Sequence, residues 1–198
     1  MNFLKIILIS IFIFTISKNT FSKEGDTHIG VDVGWGFIDI GAEQTAQTIA
    51  NISGSTVLAE YDKAAFTGRV YFDYDIGNNI LFEAGYFQSS NLTAKYTLSG
   101  ASASESYSVN GFDLAAVYSE GNGLFFKGGF HSSTIRGNAN IKISGTTYAA
   151  NASSSGGGFV YGIGYDFNDS TRVGYTYYQN VGGDKDADVG LLYYGFRF

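Results

Sequence analysis

From Thr27 onward the chain alternates. Large apolar residues recur at every second position in runs of about ten residues, and clusters of Gly, Asn and Ser interrupt the runs. Period two is the mark of a strand, whose successive side chains point to opposite faces. No helical period persists after Lys23.

Eight strands are predicted. The first, Thr27 to Ile40, sets Ile29, Val31, Val33, Trp35 and Phe37 against His28, Gly30, Asp32, Gly34 and Gly36. A polar linker, Gly41 to Tyr61, leads to the second, Asp62 to Ile76, where Phe66, Val70, Phe72 and Tyr74 oppose Arg69, Tyr71 and Asp73. Gly77-Asn78-Asn79 makes a tight turn. The third sets Ile80, Phe82, Ala84 and Tyr86 against Leu81, Glu83 and Gly85, and its alternation continues through Leu92, Ala94, Tyr96 and Leu98. Ser99 to Glu105 is a Ser/Ala/Gly tip. The fourth ends at Tyr118, with Phe112, Leu114 and Ala116 opposite Gly111, Asp113 and Ala115; Glu120 to Gly123 turns the chain.

The fifth, Leu124 to Thr134, places Leu124, Phe126, Gly128 and Phe130 against Phe125, Lys127, Gly129 and His131. Ile135 to Gly156 reads as a long polar connection, part of it strand beyond the membrane because Ile141 and Ile143 alternate. The sixth, Gly157 to Phe167, opposes Phe159, Tyr161, Ile163, Tyr165 and Phe167 to Val160, Gly162, Gly164 and Asp166. After Asn168-Asp169-Ser170, the seventh, Thr171 to Gln179, opposes Val173, Tyr175 and Tyr177 to Arg172, Gly174, Thr176 and Tyr178. Asn180 to Asp186 leads to the closing strand, Ala187 to Phe198, with Leu192, Tyr194, Phe196 and Phe198 on one face. Long and short connections alternate, as in an all-β, eight-stranded antiparallel up-and-down transmembrane barrel with short turns in the periplasm. An even strand count puts both termini on that side.

Three features turn the aromatic face outward. When each strand's phase is set by its apolar residues alone, Asp32, Arg69, Asp73, Glu83, Asp113, Lys127, Asp166, Arg172 and Arg197 all fall on the other face. Chance does this about once in five hundred, and an Arg or Lys facing lipid at mid-depth costs ~2–4 kcal/mol. The charged face is also crowded with Gly and Ala, which suits the narrow lumen of eight strands. The apolar face, finally, is too bulky to fit inside. Outward, its rings form two aromatic girdles.

These residues resemble the OmpA/OmpX-like small outer-membrane β-barrel family. The resemblance rests on G-V-D-V-G-W-G (30–36), E-A-G-Y (83–86), Y-G-I-G-Y-D-F-N-D (161–169) and D-V-G-L-L-Y-Y-G-F-R-F (188–198). It implies a lumenal network pairing Glu83 with bases such as Arg69, Lys127 and Arg172. It also implies a C-terminal assembly signal, Tyr194, Phe196 and Phe198, read by the barrel-assembly machinery. The chain ends with the eighth strand, so the peptidoglycan-binding domain of full-length OmpA and its cell-wall tether are not implied.

Composition narrows the picture. The first 22 residues read as a secretory signal peptide, with Lys5, the apolar run Ile6 to Ile16 and small residues flanking Phe21. Residues 23–198 would then be one barrel domain, and its formal charge would move from -6 to -8 as Lys5 and Lys18 leave. That acidity argues against a nucleic-acid partner. Cys is 0, which excludes disulfides, thiolate sites and lipid attachment through cysteine, and Pro is 0, which suits long, regular strands. Mean hydropathy near zero is compatible with a membrane barrel, which hides its apolar half by alternation.

Five acids and four bases make up the lumenal set, a near-balance that calls for internal ion pairs. They read as a structural plug, with a narrow ion path or salt-bridge gate as the alternative. His131 and Ser133 point inward and lack an orienting acid, so a lipid-modifying enzyme is the weaker reading and no enzyme is expected. His28 reads as a solvated strand-end residue. No metal cluster, phosphate-cradling loop or dinucleotide motif occurs, and no cofactor is expected. The expected partners are outer-membrane lipid and lipopolysaccharide, together with a host or phage surface ligand at the long loops. A closed barrel without a free strand edge is expected to be a monomer.

Overall fold

A computed structural model describes residues 24–39, 41–119, 123–183 and 187–198. The predicted leader, 1–22, lies outside them, as do Ile40, the turn residues Glu120 to Asn122, and Asp184 to Asp186 of the last connection. The strands are β1 Thr27–Ile38, β2 Leu58–Tyr61, β3 Ala64–Asp75, β4 Ile80–Ser89, β5 Leu92–Leu98, β6 Ala101–Ser119, β7 Leu124–Ile143, β8 Thr146–Asn168, β9 Thr171–Tyr178 and β10 Val189–Arg197. One helix, α1 Ala42–Ser53, and a 3-10 turn, Val181–Gly183, complete the described elements.

Eight of the strands make a closed antiparallel ring in the order β1-β3-β4-β6-β7-β8-β9-β10. Closure comes from β1 on β10, with Gly30 opposite Arg197 and Ile38 opposite Val189. Phe198 seals the joint, its N–H donating to the Ile29 carbonyl at 2.8 Å. The expected division of faces holds around the ring. Trp35, Phe112 and Phe130 stand 59%, 66% and 63% exposed on the outside, while Glu83, Asp73 and Phe125 inside are at 0%.

Glycine sets the bore. A Cβ on Gly195 would lie 2.3 Å from Asp32 Oδ1, and one on Gly85 would lie 2.6 Å from Arg69 Nε. Larger residues there would displace the charged groups that fill the interior.

Three sequence expectations are corrected. The polar linker after β1 contains α1 and β2. Ala42, Ala46 and Ile49, on one face of α1, pack with Ala94, Tyr96, Ala59, Tyr61 and Ala103. Alanines supply most of that face, so its helical period is faint against a hydrophobic scale. Glycine 54, with φ 63°, stops the helix and donates to the Ala50 carbonyl at 2.9 Å.

Next, the third strand does not keep its phase through Leu98. The chain breaks after Ser89, and β5 resumes with Leu92, Ala94 and Tyr96 buried on the inner side. A two-residue interruption preserves parity in sequence, but the new pairing with β6 reverses the face. Finally, Ile135 to Gly156 is not a loop connection. Strand β7 runs on to Ile143 and β8 starts at Thr146, joined by Ser144 and Gly145 with φ of 47° and 86°. Positive φ at both turn residues matches the twist of a two-residue hairpin.

Strands β2, β5 and the distal parts of β6, β7 and β8 thus form a sheet that rises past the ring. Its two faces differ. The face continuous with the ring's exterior carries Thr93, Lys95, Ser104, Ser106, Arg136, Asn138, Lys142, Thr147 and Asn151. The face continuous with the interior carries Tyr96, Tyr107, Ile135, Ile141 and Tyr148.

Candidate functional site

The ring brings the predicted charged residues into two connected groups. Register places Asp32 on β1 directly opposite Arg69 on β3, and Arg69 NH1 donates to Asp32 Oδ2 at 3.0 Å. The same guanidinium reaches across β4 to Asp113 on β6, donating from Nε at 2.9 Å and NH2 at 2.6 Å. NH2 also donates to Glu83 Oε2 at 3.1 Å. Glutamate 83 in turn accepts from Lys127 Nζ at 3.0 Å and Arg172 NH1 at 2.7 Å. Arg172 Nε approaches Asp166 at 3.3 Å without hydrogen-bond alignment.

Aromatic rings pack this layer. The Tyr71 ring centroid lies 4.7 Å from the Arg69 guanidinium and 5.1 Å from that of Arg172, and Phe125 lies 5.0 Å from Arg172. Tyr178 donates to Asp113 Oδ2 at 3.1 Å. Each buried charge therefore has an opposite charge in contact, which is the condition for keeping it ionised away from water.

The second group lies toward the short turns. Arg197 Nε stands 3.0 Å from Asp73 Oδ2, and His28 Nδ1 is 2.8 Å from Asp73 Oδ1. His28 is thus a partly buried partner of Asp73, not the solvated strand-end residue expected. The register pairs the two residues directly, a relation that no single strand's pattern reveals.

His131 and Ser133 point inward, as expected. His131 Nε2 is 2.6 Å from the Gln179 carbonyl, and Ser133 Oγ accepts from Gly182 N–H at 3.0 Å. Both spend polar atoms on the last connection, while Asp113, opposite His131 in register, is engaged by Arg69 and Tyr178. The arrangement anchors a loop and does not resemble a nucleophile with its base. Among the described residues, no group of three potential metal ligands occurs.

Of the predicted assembly-signal residues, Tyr194 faces outward beside Phe196, ring centroids 5.0 Å apart, and Phe198 ends the β10–β1 joint. At the opposite end, a cluster missed by sequence reading sits on the inner face of the protruding sheet. Tyr96 and Tyr107 both donate to Glu105 Oε2, at 3.3 and 3.0 Å. Burial, then the hydrogen bond to Glu105, pushes the Tyr107 phenol up to about 12; burial and the Glu105 charge raise Tyr96 as well.

Comparison with solved structures places this geometry. Ail, the attachment invasion locus protein of Yersinia pestis, aligns over 89% of this chain and 100% of its own at 14% identity and a TM-score of 0.52. The chain has the fold of the OmpA/OmpX-like small outer-membrane barrels. Ail in complex with the heparin analogue sucrose octasulfate gives the same identity and coverage with a TM-score of 0.51. The outer membrane protein OprG of Pseudomonas aeruginosa matches at 9% identity over 88% of this chain and 97% of its own, TM-score 0.49. No protein-family model and no curated protein matches the sequence. Within this barrel fold, the ion-pair layer occupies the bore and the two-faced sheet stands above it.

Proposed function

We propose that this chain is an outer-membrane protein with a structural and surface-interaction role, made of a plugged barrel that carries a recognition sheet. The observation that carries the reading is the closed charge layer. Arg69, Glu83, Asp113, Lys127 and Arg172 sit side by side in the bore, each buried and paired. A lumen filled in this way is a plug, because opening a path would strand several charges without partners.

The outward face supports the membrane location. Exposed aromatics continue up to Phe112, Phe130 and Phe159, and then Ser, Thr and Asn with Lys95, Arg136 and Lys142 replace them. That change is the profile of a hydrocarbon layer meeting a headgroup layer, where lipid and lipopolysaccharide phosphates would meet the bases. In this reading residues 1–22 are removed on export, both termini are periplasmic, the sheet and α1 are extracellular, and Tyr194, Phe196 and Phe198 guide assembly. The closed ring makes a monomer within one membrane. The sheet, its outer face exposed on a rigid base, is the part offered to a host, phage or neighbouring-cell surface.

Planar-bilayer recording on the purified protein tests the plug. The reading expects no reproducible unit conductance. A steady conductance that changes in Glu83→Ala or Lys127→Ala would replace the plug with a channel.

A further inference from the structure

The barrel closes at the ring, but the sheet above it does not close. Strand β8 pairs with β7 from Thr146 opposite Ile143 to Tyr165 opposite Leu124. On its other side, pairing with β9 begins only at Val160. The 3-10 turn covers part of the gap. Ser154 Oγ donates to the Gly182 carbonyl at 2.7 Å, and a Cβ on Gly156 would fall 2.2 Å from Gly183 Cα. Among the described residues nothing pairs with the remaining edge, Thr146–Ser153, and every residue of it is exposed.

An unprotected edge of this length is unusual, because exposed strands are commonly short, charged, bulged or interrupted by Pro. The opposite edge of the same sheet follows that rule. Strand β2 has four residues, and Glu60, Asp62 and Lys63 lie in or beside it. The β8 edge, Thr-Thr-Tyr-Ala-Ala-Asn-Ala-Ser, has no charge and no Pro, and its register shows no bulge.

The sequence of the edge also indicates an occupant. A strand added antiparallel keeps like faces together only if opposed residues have equal parity. For two copies of this edge with Ala150 at the centre, Ala149 meets Asn151, Thr147 meets Ser153, and Tyr148 meets Ala152. Thr147 then faces Ser153, Asn151 meets only the small methyl of Ala149, and the Tyr148 ring meets the Ala152 methyl. The inner apolar strip of Ile141, Tyr148, Ala150 and Ala152 becomes continuous across the join. Antiparallel neighbours are related by an axis perpendicular to the sheet, which reverses strand direction. The second copy must therefore come tip-first from a facing membrane.

On this basis we infer that Thr146–Ser153 is a homotypic docking edge, pairing with the same segment of a second copy in an opposed membrane. The inference rests on the membrane reading above. One pairing supplies about eight backbone hydrogen bonds. Many copies on two surfaces multiply that contact through effective concentration.

The test uses the full mature chain in liposomes labelled with two dyes. Flotation with lipid and protection of the barrel from protease check membrane insertion separately; failure there would reject the membrane reading and not the edge. With insertion established, wild-type vesicles are expected to cluster by light scattering and dye transfer. Ala149→Lys/Asn151→Lys vesicles, with like charges across the join, should lose clustering, as should Ala149→Glu/Asn151→Glu vesicles. Mixing the Lys and Glu populations should restore it. Inserted wild-type protein that does not cluster, variants that still self-cluster, or a mixture that stays dispersed would each overturn the assignment.

Discussion

Arg69 holds Asp113 by two parallel hydrogen bonds, 2.9 and 2.6 Å long, although β3 and β6 share no backbone pairing and β4 lies between them. A bidentate fork fixes both direction and distance. The contact therefore braces one side of the ring against deformation. Arg69→Met keeps the volume but leaves Asp32, Glu83 and Asp113 with fewer cations. The expected cost is about 3–5 kcal/mol, the range for breaking a buried pair from one side. Urea unfolding of the protein in lipid vesicles should give a lower midpoint with an unchanged slope.

Glu83 is the hub, since Arg69, Lys127 and Arg172 all reach it. Removing Arg172 leaves Glu83 with Arg69 and Lys127, and removing Glu83 leaves Arg172 with Asp166 as its remaining ion-pair partner. Removing both should cost less than the sum. A double-mutant cycle with Glu83→Gln and Arg172→Met is expected to show a coupling of ~0.5–3 kcal/mol. Additive losses would mean that the two groups act independently despite their 2.7 Å contact.

The bore admits no added volume at Gly195. Its missing side chain leaves room for Asp32 Oδ1 and for Arg172 Cγ, which would lie 2.3 and 2.6 Å from a Cβ. Gly195→Ala should destabilise the barrel by about 1–3 kcal/mol through overpacking. Gly68→Ala, where a Cβ meets nothing within 4 Å, is the control and should be far milder in the same unfolding assay.

The protruding sheet should respond to alkaline pH. Tyr107 ionises at about 12 when folded, against 10.0 ordinarily. Between those values the folded sheet keeps a proton that the unfolded sheet gives up. Its contribution is fully present below pH 10 and is lost as pH rises through about 12. Hydrogen exchange of β5 and β6 should therefore speed up over that window in the wild type, and with a shallower slope in Tyr107→Phe.

Much of this architecture is legible as alternation. At the level of the ring the Asp, Glu, Lys and Arg positions mark the inner face and most large apolar side chains the outer one, although Tyr71, Phe125 and Tyr178 turn inward against the charges. What alternation omits is register between strands. Nothing in the first or third strand alone says that His28 meets Asp73, or that Arg69 bypasses β4 to reach Asp113. Composition misleads where strands leave the apolar layer. Ile135 to Gly156 is rich in Ser, Asn and Gly because its outer face meets a polar environment, so a continuous hairpin resembles a loop. Helix α1 is obscured for the opposite reason: its buried stripe is mostly methyl groups.

The chain contains one tryptophan, Trp35, 59% exposed on the outer face of β1. It reports directly on which face meets lipid. In vesicles carrying bromine on the acyl chains, its emission should be blue-shifted and strongly quenched compared with unlabelled lipid. Emission that is insensitive to brominated chains, yet accessible to a quencher in the water phase, would contradict the account.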